Sequence, residues 1–442
     1  MGDDPLAALM DGYVIPVRDA LWGHIYLTRG LAALIKSEPF MRLSRILQLG
    51  PVYGVYPGAT HTRASHSIGV YYLARRILLN LAEQGGAEWL SSCGVHSFLC
   101  AGLLHDLGHF PYTHSLKELP LRNHEELTAK IILREPVKSL VAEAGADPWF
   151  TAAIVDTGLP ASEAGPASSE LLFYRRLLSG VLDPDKLDYL NRDARYCGVP
   201  YGAQDVDFIL SCLHPHPDRG VDIDSRGILS VESILFSKYL MYRAVYWHSA
   251  VRSATAMIKK SILGGLNEKL IAPEDLYELD DAGLFMLAAS GKDKAYRIMN
   301  RSRREYAGRL FSLAEKVRDG QYFNAAAEIP FNASLHQGLR DIEKRSGYEE
   351  SLAGELSHTL GQRIPPEDII IDVPEPVIFE TGLFVQDENC YFGESSTAFK
   401  GEMVRALVDS LQVIRIFIDP SYETKEKSVL ILQSIGAFFQ SR

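Results

Sequence analysis

The chain has 442 residues, of which 47% are hydrophobic and 23% are charged, a composition that supports a large core and is not typical of disorder. Its 45 Lys and Arg against 56 Asp and Glu give a formal net charge of −11. This acidic balance argues against a protein that coats duplex nucleic acid, although it leaves room for a local basic pocket. The length predicts two or three domains.

The cysteines and the apolar stretches indicate the compartment. The five cysteines form no C-x-x-C pair, which argues against a disulfide framework or a thiolate zinc site. The first residues lack the basic and apolar segments of a secretory signal, and no stretch reaches the ~18 uninterrupted apolar residues of a membrane span. The sequence therefore predicts a cytoplasmic protein without a membrane partner.

Helical patterns dominate from about residue 31 to about residue 266. Apolar residues recur with helical spacing in 66–84 and 123–134, and 95–107 is apolar on nearly all sides, as in a buried helix. The stretch 232–264 is predicted as one long helix.

The pattern changes after about residue 269. Helices continue to about residue 317, followed by β-branched or alternating runs that indicate short strands. These runs are 369–373, 377–378, 383–385 and 413–418, with further helices expected at 400–412 and 423–440. The predicted fold class is mainly α, with a helical domain over residues 1–270 and a smaller α+β C-terminal lobe over residues 271–442.

Seven of the thirteen histidines lie between residues 61 and 124. His66 stands near the start of one predicted helix, and His105 and Asp106 end the apolar helix, where an unpaired charge would be costly. A group of carboxylates follows at Asp183, Asp185 and Asp188. Imidazole and carboxylate ligands suit a hard or borderline divalent ion, which can acidify a bound water into a nucleophile. The residues predict a divalent metal site. Which of Asp183, Asp185 and Asp188 would supply its distant carboxylate ligand stays open at this point.

Four segments resemble, in order, motifs of the HD-domain deoxynucleoside triphosphate triphosphohydrolases. They are Q-L-G and Y-P-G-A-T-H-T-R-A-S-H-S-I-G-V within 48–77, L-H-D-L-G-H-F-P-Y-T-H within 101–115, N-H-E-E at 123–126, and D-P-D-K-L-D-Y-L-N-R-D within 182–199. The resemblance covers about half of the chain and is to the group that contains the SAM-and-HD-domain dNTPase, without a SAM domain, and its bacterial single-chain relatives. It implies an HD-domain helical catalytic core and a homo-oligomer, dimer or tetramer.

The resemblance also implies roles for individual residues. The metal ligands would be His66, His105, Asp106 and Asp185, holding Fe, Mn, Mg, Zn or Ni, with a second metal as an option. Acid–base chemistry would fall to His109, His114, His124 and Glu125, with one histidine as general acid toward the leaving oxygen and Glu125 orienting His124. His61 receives no role, and His96 is expected to be structural.

The implied reaction is attack of water on the α-phosphate of a deoxynucleoside triphosphate, releasing the deoxynucleoside and inorganic triphosphate. The cations implied to hold the triphosphate are Arg63, Lys186 and Lys238. The residues implied to surround the deoxyribose are Gln48, Leu49, Tyr189, Asp193 and Tyr246.

The chain departs from the family pattern at several positions. Relatives that need a nucleotide activator carry other residues at the positions of Lys36, Met41 and Ser44. Lys117 replaces a carboxylate that supports the histidines, and Ser249 replaces a phosphate-binding lysine. Two other functions stay open: an HD phosphohydrolase for a monophosphate or cyclic nucleotide, and a catalytically weak nucleotide or nucleic-acid sensor. The basic run 292–304 favours the sensor, and its simpler interpretation is a solvated helix face.

Overall fold

The computed structural model describes residues 4–423 and 427–440. Helices dominate it, and the predicted class, mainly α with a smaller α+β part, is confirmed. The helices are α1 (Pro5–Met10), α2 (Arg29–Leu34), α3 (Glu38–Leu43), α4 (Arg63–Glu83), α5 (Ser92–Leu104), α6 (His124–Ile132), α7 (Val137–Glu143), α8 (Pro148–Val155), α9 (Ser168–Leu178), α10 (Pro184–Cys197), α11 (Val206–Ser211), α12 (Ile228–Met241), α13 (Ser249–Asn267), α14 (Asp281–Ile298), α15 (Arg301–Arg318), α16 (Ala333–His336), α17 (Ile342–Leu360), α18 (Gly401–Leu411) and α19 (Lys427–Gln440). The strands are β1 (Ile15–Asp19), β2 (Gly23–Leu27), β3 (Leu213–His216), β4 (Gly220–Ile223), β5 (Asn324–Pro330), β6 (Ile369–Asp372), β7 (Phe384–Val385), β8 (Cys390–Tyr391) and β9 (Val413–Ile418).

The centre of the N-terminal part is helix α4, which packs against both α5 and α10. The hydroxyl of Ser91 accepts a hydrogen bond from the Gly94 amide and caps α5, which is buried along almost its whole length, as its apolar sequence predicts. The helix ends at Leu104, so His105 and Asp106 follow where the backbone leaves the helix. Their side chains are thereby free to turn toward the neighbouring helices.

Two glycines permit the close approach of helices that builds the site. A Cβ at Gly69, on α4, would lie 1.9 Å from Asp188 Oδ1 on α10. A Cβ at Gly108, just after α5, would lie 2.1 Å from the carbonyl oxygen of His124 at the start of α6. Side chains do not tolerate such distances, so glycine at these positions lets α10 approach α4 and lets α6 approach the end of α5.

The C-terminal part contributes to two sheets. Strands β5 and β6 pair antiparallel with the two edges of β9, and this sheet packs with α17 and α19 around an apolar core of its own. Strand β7 instead pairs in parallel with β4, in a sheet of order β3-β4-β7-β8. The chain after β6 therefore returns to the N-terminal core, and a domain boundary near residue 270 stays a prediction.

The predicted helix over 232–264 is wrong, because the chain breaks in its middle. Helix α12 passes into a π-helical turn at Tyr242–Tyr246, and His248 then has a non-helical backbone. The ring of His248 accepts a hydrogen bond from the Ala250 amide at 3.3 Å and so caps a new helix, α13. This local cap competes with continuation of the helix and is not visible in the apolar spacing.

The strand predicted at 377–378 is also wrong, since residues 373–383 have no regular secondary structure. Val377 and Phe379 bury their side chains in the helical core, and the backbone here does not pair with another strand of the described chain. Within residues 4–423 and 427–440, no helix is long and apolar enough to cross a membrane.

Candidate active site

The ends of three helices bring the expected metal ligands together. Nitrogen and oxygen atoms of His66, His105 and Asp106 lie within 4.8 Å of one another. Asp185, in the first turn of α10, places Oδ1 3.0 Å from His66 Nε2 and 4.0 Å from His105 Nε2. Two imidazoles and two carboxylates thus face one small volume, which is a donor set that suits a divalent ion.

The charge around His66 supports the same interpretation. Burial opposes protonation of this imidazole, but the carboxylates of Asp185 and Asp188 outweigh burial and raise its pKa to about 10. The site therefore attracts a proton onto a side chain that has to be neutral to bind a metal. A bound divalent ion would replace that proton, because its positive charge would neutralise the nearby carboxylates while His66 is uncharged.

A buried hydrogen-bond network fixes the orientation of His66, and two of its members were not indicated by the sequence. Asp188 Oδ2 lies 2.8 Å from His66 Nδ1, which turns Nε2 toward the proposed ligands. Asp188 also accepts hydrogen bonds from Arg192 at 2.7 and 2.9 Å and from Trp22 Nε1 at 2.5 Å. Arg192 reaches on to Asp19 at 2.9 Å. Asp188 and Arg192 lie within the quoted motif, whereas Asp19 and Trp22 come from the N-terminal hairpin and no sequence pattern indicated them.

The remaining histidines of the motifs lie beside the metal ligands. His109 Nδ1 lies 3.1 Å from Asp106 Oδ1, and His109 Nε2 lies 3.1 Å from His114 Nε2. The rings of His109 and His124 are 3.9 Å apart between centroids, and Glu125 Oε2 lies 3.2 Å from His124 Nδ1. Asp106, His109 and His124 form a second group that could hold an ion. The structure brings the four expected acid–base residues together, and their roles stay predictions.

The surroundings of His109, His114 and His124 favour their neutral form in the ligand-free protein. Burial is the largest cause that lowers the pKa of His109, His114 and His124 well below the usual value, and the positive charge of Arg63 lowers it further. Burial alone would raise the pKa of Asp106, but His109, His105 and Arg63 hold it well below its usual range. The Asp106 carboxylate is thus available as an anionic ligand.

The expected sugar-binding residues line the same cavity, which has a volume of about 420 Å³. They are Gln48, Leu49, Tyr189, Asp193 and Tyr246. Asp193 is held from two sides, by His61 Nε2 at 2.8 Å and by the Tyr246 hydroxyl, which donates to it at 2.6 Å. His61, to which the sequence assigned no role, therefore positions a carboxylate in the cavity wall.

The three expected triphosphate-binding cations differ in their surroundings. Arg63 lines the cavity, and its Nη1 donates to Asp106 Oδ2 at 2.8 Å. Lys186 and Lys238 are not among the residues that line the described cavity. Lys186 Nζ lies 2.6 Å from Glu380, and Lys238 donates to the Ile378 carbonyl at 2.7 Å. No sequence feature indicated these two contacts, because 378–380 lies far away along the chain.

The positions that depart from the family pattern are spread over the molecule. Lys117 lines the cavity beside the histidines, and Ser249 begins α13. The positions of the family's activator residues, Lys36, Met41 and Ser44, are exposed. The basic run 292–304 spans the end of α14 and the start of α15, and ion pairs such as Lys292–Glu315 and Arg301–Glu305 partly neutralise it.

Comparison with known proteins identifies the domains. Residues 63–147 match the HD domain, and residues 205–400 match the HD-associated region. Over 227 residues the chain is 37% identical to the uncharacterised protein YwfO of Bacillus subtilis, covering 51% of this chain and 50% of that protein. Over 274 residues it is 27% identical to the human deoxynucleoside triphosphate triphosphohydrolase SAMHD1, covering 56% of this chain and 44% of that protein. The chain spans about half the length of the curated relatives it matches.

Two solved structures share the fold over almost the whole chain. A phosphohydrolase from Bacteroides thetaiotaomicron superposes with a TM-score of 0.68 at 21% identity, covering 92% of this chain and 100% of that one. A hypothetical protein from Aquifex aeolicus superposes with a TM-score of 0.64 at 24% identity, covering 95% and 99%. These two likenesses show the fold, and the matches to the HD domain and the HD-associated region, together with the relatives, confirm the resemblance seen in the motifs.

Proposed function

We propose that this protein is a metal-dependent phosphohydrolase and that it cleaves deoxynucleoside triphosphates to deoxynucleoside and inorganic triphosphate. The observation that carries the proposal is the meeting of His66, His105, Asp106 and Asp185 at one cavity. The names of two similar proteins support it, since one is a deoxynucleoside triphosphate triphosphohydrolase and the other a phosphohydrolase.

His66, His105, Asp106 and Asp185 would hold the divalent ion. When bound, such an ion lowers the pKa of a water ligand and polarises a phosphoryl oxygen. Asp188 keeps the His66 ring turned for this task, and the Gly102 carbonyl, 3.0 Å from His105 Nδ1, does the same for His105. Arg63 keeps Asp106 ionised and presents its remaining donors to the substrate phosphates.

Proton transfer to the leaving oxygen would come from the group of His109, His114 and His124. The surroundings of these imidazoles favour the neutral form without ligand, but a polyanionic substrate adds negative charge beside them and raises their pKa values. A protonated histidine can then act as general acid toward the departing 5′-oxygen. Glu125 contacts His124 Nδ1 and would orient that ring.

The deoxyribose would lie against the wall formed by Tyr189 and Tyr246, above Gln48 and Leu49. Asp193 has one oxygen bonded to His61 and the other to Tyr246, so it is a fixed acceptor for a sugar hydroxyl. The apolar Leu49 side chain offers nothing to a 2′-hydroxyl, which favours deoxynucleotides.

One observation favours a second candidate, the hydrolysis of a nucleoside monophosphate. Lys186 and Lys238 are both engaged by 378–380, which leaves Arg63 as the expected phosphate contact that faces the cavity. A single phosphate at the metal site needs only that contact. The two candidates differ in the product, because a monophosphatase releases inorganic phosphate rather than triphosphate.

The deciding experiment is an assay of the purified protein with Mn²⁺ or Mg²⁺ against each dNTP, all four dNTPs together, and each dNMP. Chromatography of the products separates triphosphate from phosphate, and Asp106→Ala serves as the inactive control. Release of triphosphate supports the first candidate. If no dNTP yields triphosphate, alone or in the mixture, the first candidate is wrong. Comparison of the single nucleotides with the mixture also shows whether one nucleotide activates hydrolysis of another.

The protein is further proposed to form a homo-oligomer, dimer or tetramer, as the family resemblance implies. Light scattering coupled to size-exclusion chromatography measures the mass directly. A mass near 49.1 kDa would show a monomer and contradict this proposal.

A further inference from the structure

One irregular segment of the C-terminal part contacts both expected triphosphate-binding lysines. This segment, residues 373–383, is named the strap here, and it connects β6 to β7. Its first half, residues 373 and 375–377, lines the cavity. Its second half contacts Lys186 and Lys238 through Glu380 and Ile378. The strap thus forms part of the cavity wall and also contacts the two lysines.

The strap is anchored by side chains that alternate along it. Val377 and Phe379 are 6% and 7% exposed and belong to the helical core, whereas the Ile378 side chain between them is 71% exposed. The Ile378 carbonyl faces Lys238. The Glu380 side chain is 39% exposed, so it can rotate toward water while Val377 and Phe379 stay in place.

Three oxygen atoms surround the Lys186 ammonium group in this arrangement, two as hydrogen-bond acceptors and one as an ion-pair partner. An ammonium group has three N–H donors. Lys186 Nζ contacts the Gly180 carbonyl at 2.8 Å, Asp183 Oδ2 at 2.7 Å and Glu380 Oε2 at 2.6 Å. Burial opposes its charge, but Asp183 and Glu380 outweigh burial and raise the pKa of Lys186. A phosphate oxygen can therefore reach Lys186 only by replacing one of these acceptors.

Glu380 is the replaceable one. The Gly180 acceptor is backbone, and Asp183 is buried and caps α10 through the Lys186 amide at 2.6 Å. Glu380, in contrast, is partly exposed and projects from an irregular segment. Its carboxylate presents an anionic oxygen to Lys186 in the way that a phosphate would.

We infer that Glu380 is a specificity-determining residue of this site, because it competes with the distal phosphates of the ligand for Lys186. The inference rests on the proposed function for the role of Lys186. A single phosphate bound at the metal ligands and Arg63 does not need Lys186, so Glu380 leaves its affinity unchanged. A polyphosphate chain has to displace Glu380, so the carboxylate weakens the binding of triphosphates relative to monophosphates.

The test compares the binding of inorganic tripolyphosphate and inorganic phosphate to the full chain at a fixed Mn²⁺ concentration, by calorimetry. Glu380→Gln and Glu380→Ala are expected to bind tripolyphosphate about tenfold more tightly than the unchanged protein, since a partly buried ion-pair competitor is removed. Binding of phosphate is expected to change less than about twofold. Glu394→Gln removes the same charge from an exposed position of the same part of the chain and serves as the matched control.

The double variant Lys186→Gln with Glu380→Gln tests the mechanism, because the gain should disappear when the lysine is absent. Unchanged or weaker binding of tripolyphosphate by both single variants would overturn the inference and would indicate that Glu380 only holds Lys186 in position. Circular dichroism of each variant verifies the fold. Failure of the proposed function is separate: it would appear as a lack of dNTP hydrolysis, whereas the tripolyphosphate comparison would still decide the role of Glu380.

Discussion

The two sides of the cavity are built in different ways. The histidine side consists of neighbours in short motifs: His109 contacts Asp106 three residues away, and His124 contacts Glu125. The lysine side is completed by the strap, whose Glu380 is 194 residues from Lys186 in sequence (380 − 186). Motif spacing therefore describes the histidine side well, but it does not reveal what neutralises the lysines. Substitutions on each side test whether this difference in construction is also a difference in function.

The largest effect is expected from Asp106→Ala on the histidine side. Asp106 contacts Arg63, His105 and His109, so its loss removes a proposed metal ligand and leaves a buried cation unpaired. We expect loss of bound metal and a fall in turnover of at least about 10³-fold. Metal analysis of the purified variant and release of triphosphate or phosphate measure the two effects.

Asp207→Ala is the control for this substitution, because Asp207 is an exposed aspartate that pairs with Arg76 at the surface. It should keep both metal and turnover. An Asp106→Ala protein that retains its metal and its activity would show that the histidine side is not the metal centre.

A smaller effect is expected from Asp188→Asn, which acts on the metal through His66. The substitution keeps the size of the side chain but removes the charge that orients His66 Nδ1 and pairs with Arg192. Loss of such an orienting carboxylate typically lowers metal affinity about 10–100-fold. Titration with a competing chelator measures this affinity, and circular dichroism separates it from unfolding. An unchanged metal affinity would mean that the network on His66 is only structural.

On the lysine side, Lys238→Met should act on the substrate and leave the metal in place. Lys238 is buried, and burial lowers its pKa, while its Nζ donates to the Ile378 carbonyl. We expect about a tenfold rise in KM for a triphosphate substrate with little change in kcat, since a ground-state contact is lost. Lys130→Met, at an exposed lysine that pairs with Glu126, is the matched control. Equal KM values for the two variants would exclude Lys238 from the triphosphate site.

The same contrast explains which features the sequence predicted. Apolar periodicity predicted α4, α5 and α6 to within a few residues, because their burial depends on local spacing. The break at His248 was missed, since a single side-chain cap outweighs a helical pattern there. The residues themselves indicated His66, His105 and Asp106 as proposed ligands, and the motif resemblance selected Asp185. Nothing indicated Trp22, Asp19 and Glu380, because their contacts join distant parts of the chain. Long-range contacts that involve one residue leave no periodic pattern in the sequence.

The smallest effect is expected from Trp22→Phe, which tests one such distant contact. Trp22 Nε1 donates to Asp188 Oδ1 at 2.5 Å, but Asp188 keeps two further hydrogen bonds from Arg192 when the indole is replaced. The orientation of His66 should therefore become only slightly less restricted. We expect metal affinity to fall about threefold, in keeping with the loss of one of several hydrogen bonds. Trp89→Phe, at a tryptophan 41% exposed and outside the network, is the matched control in the same chelator titration. If Trp22→Phe matched Asp188→Asn in size, the N-terminal hairpin would be as important for the metal centre as the motif carboxylate itself.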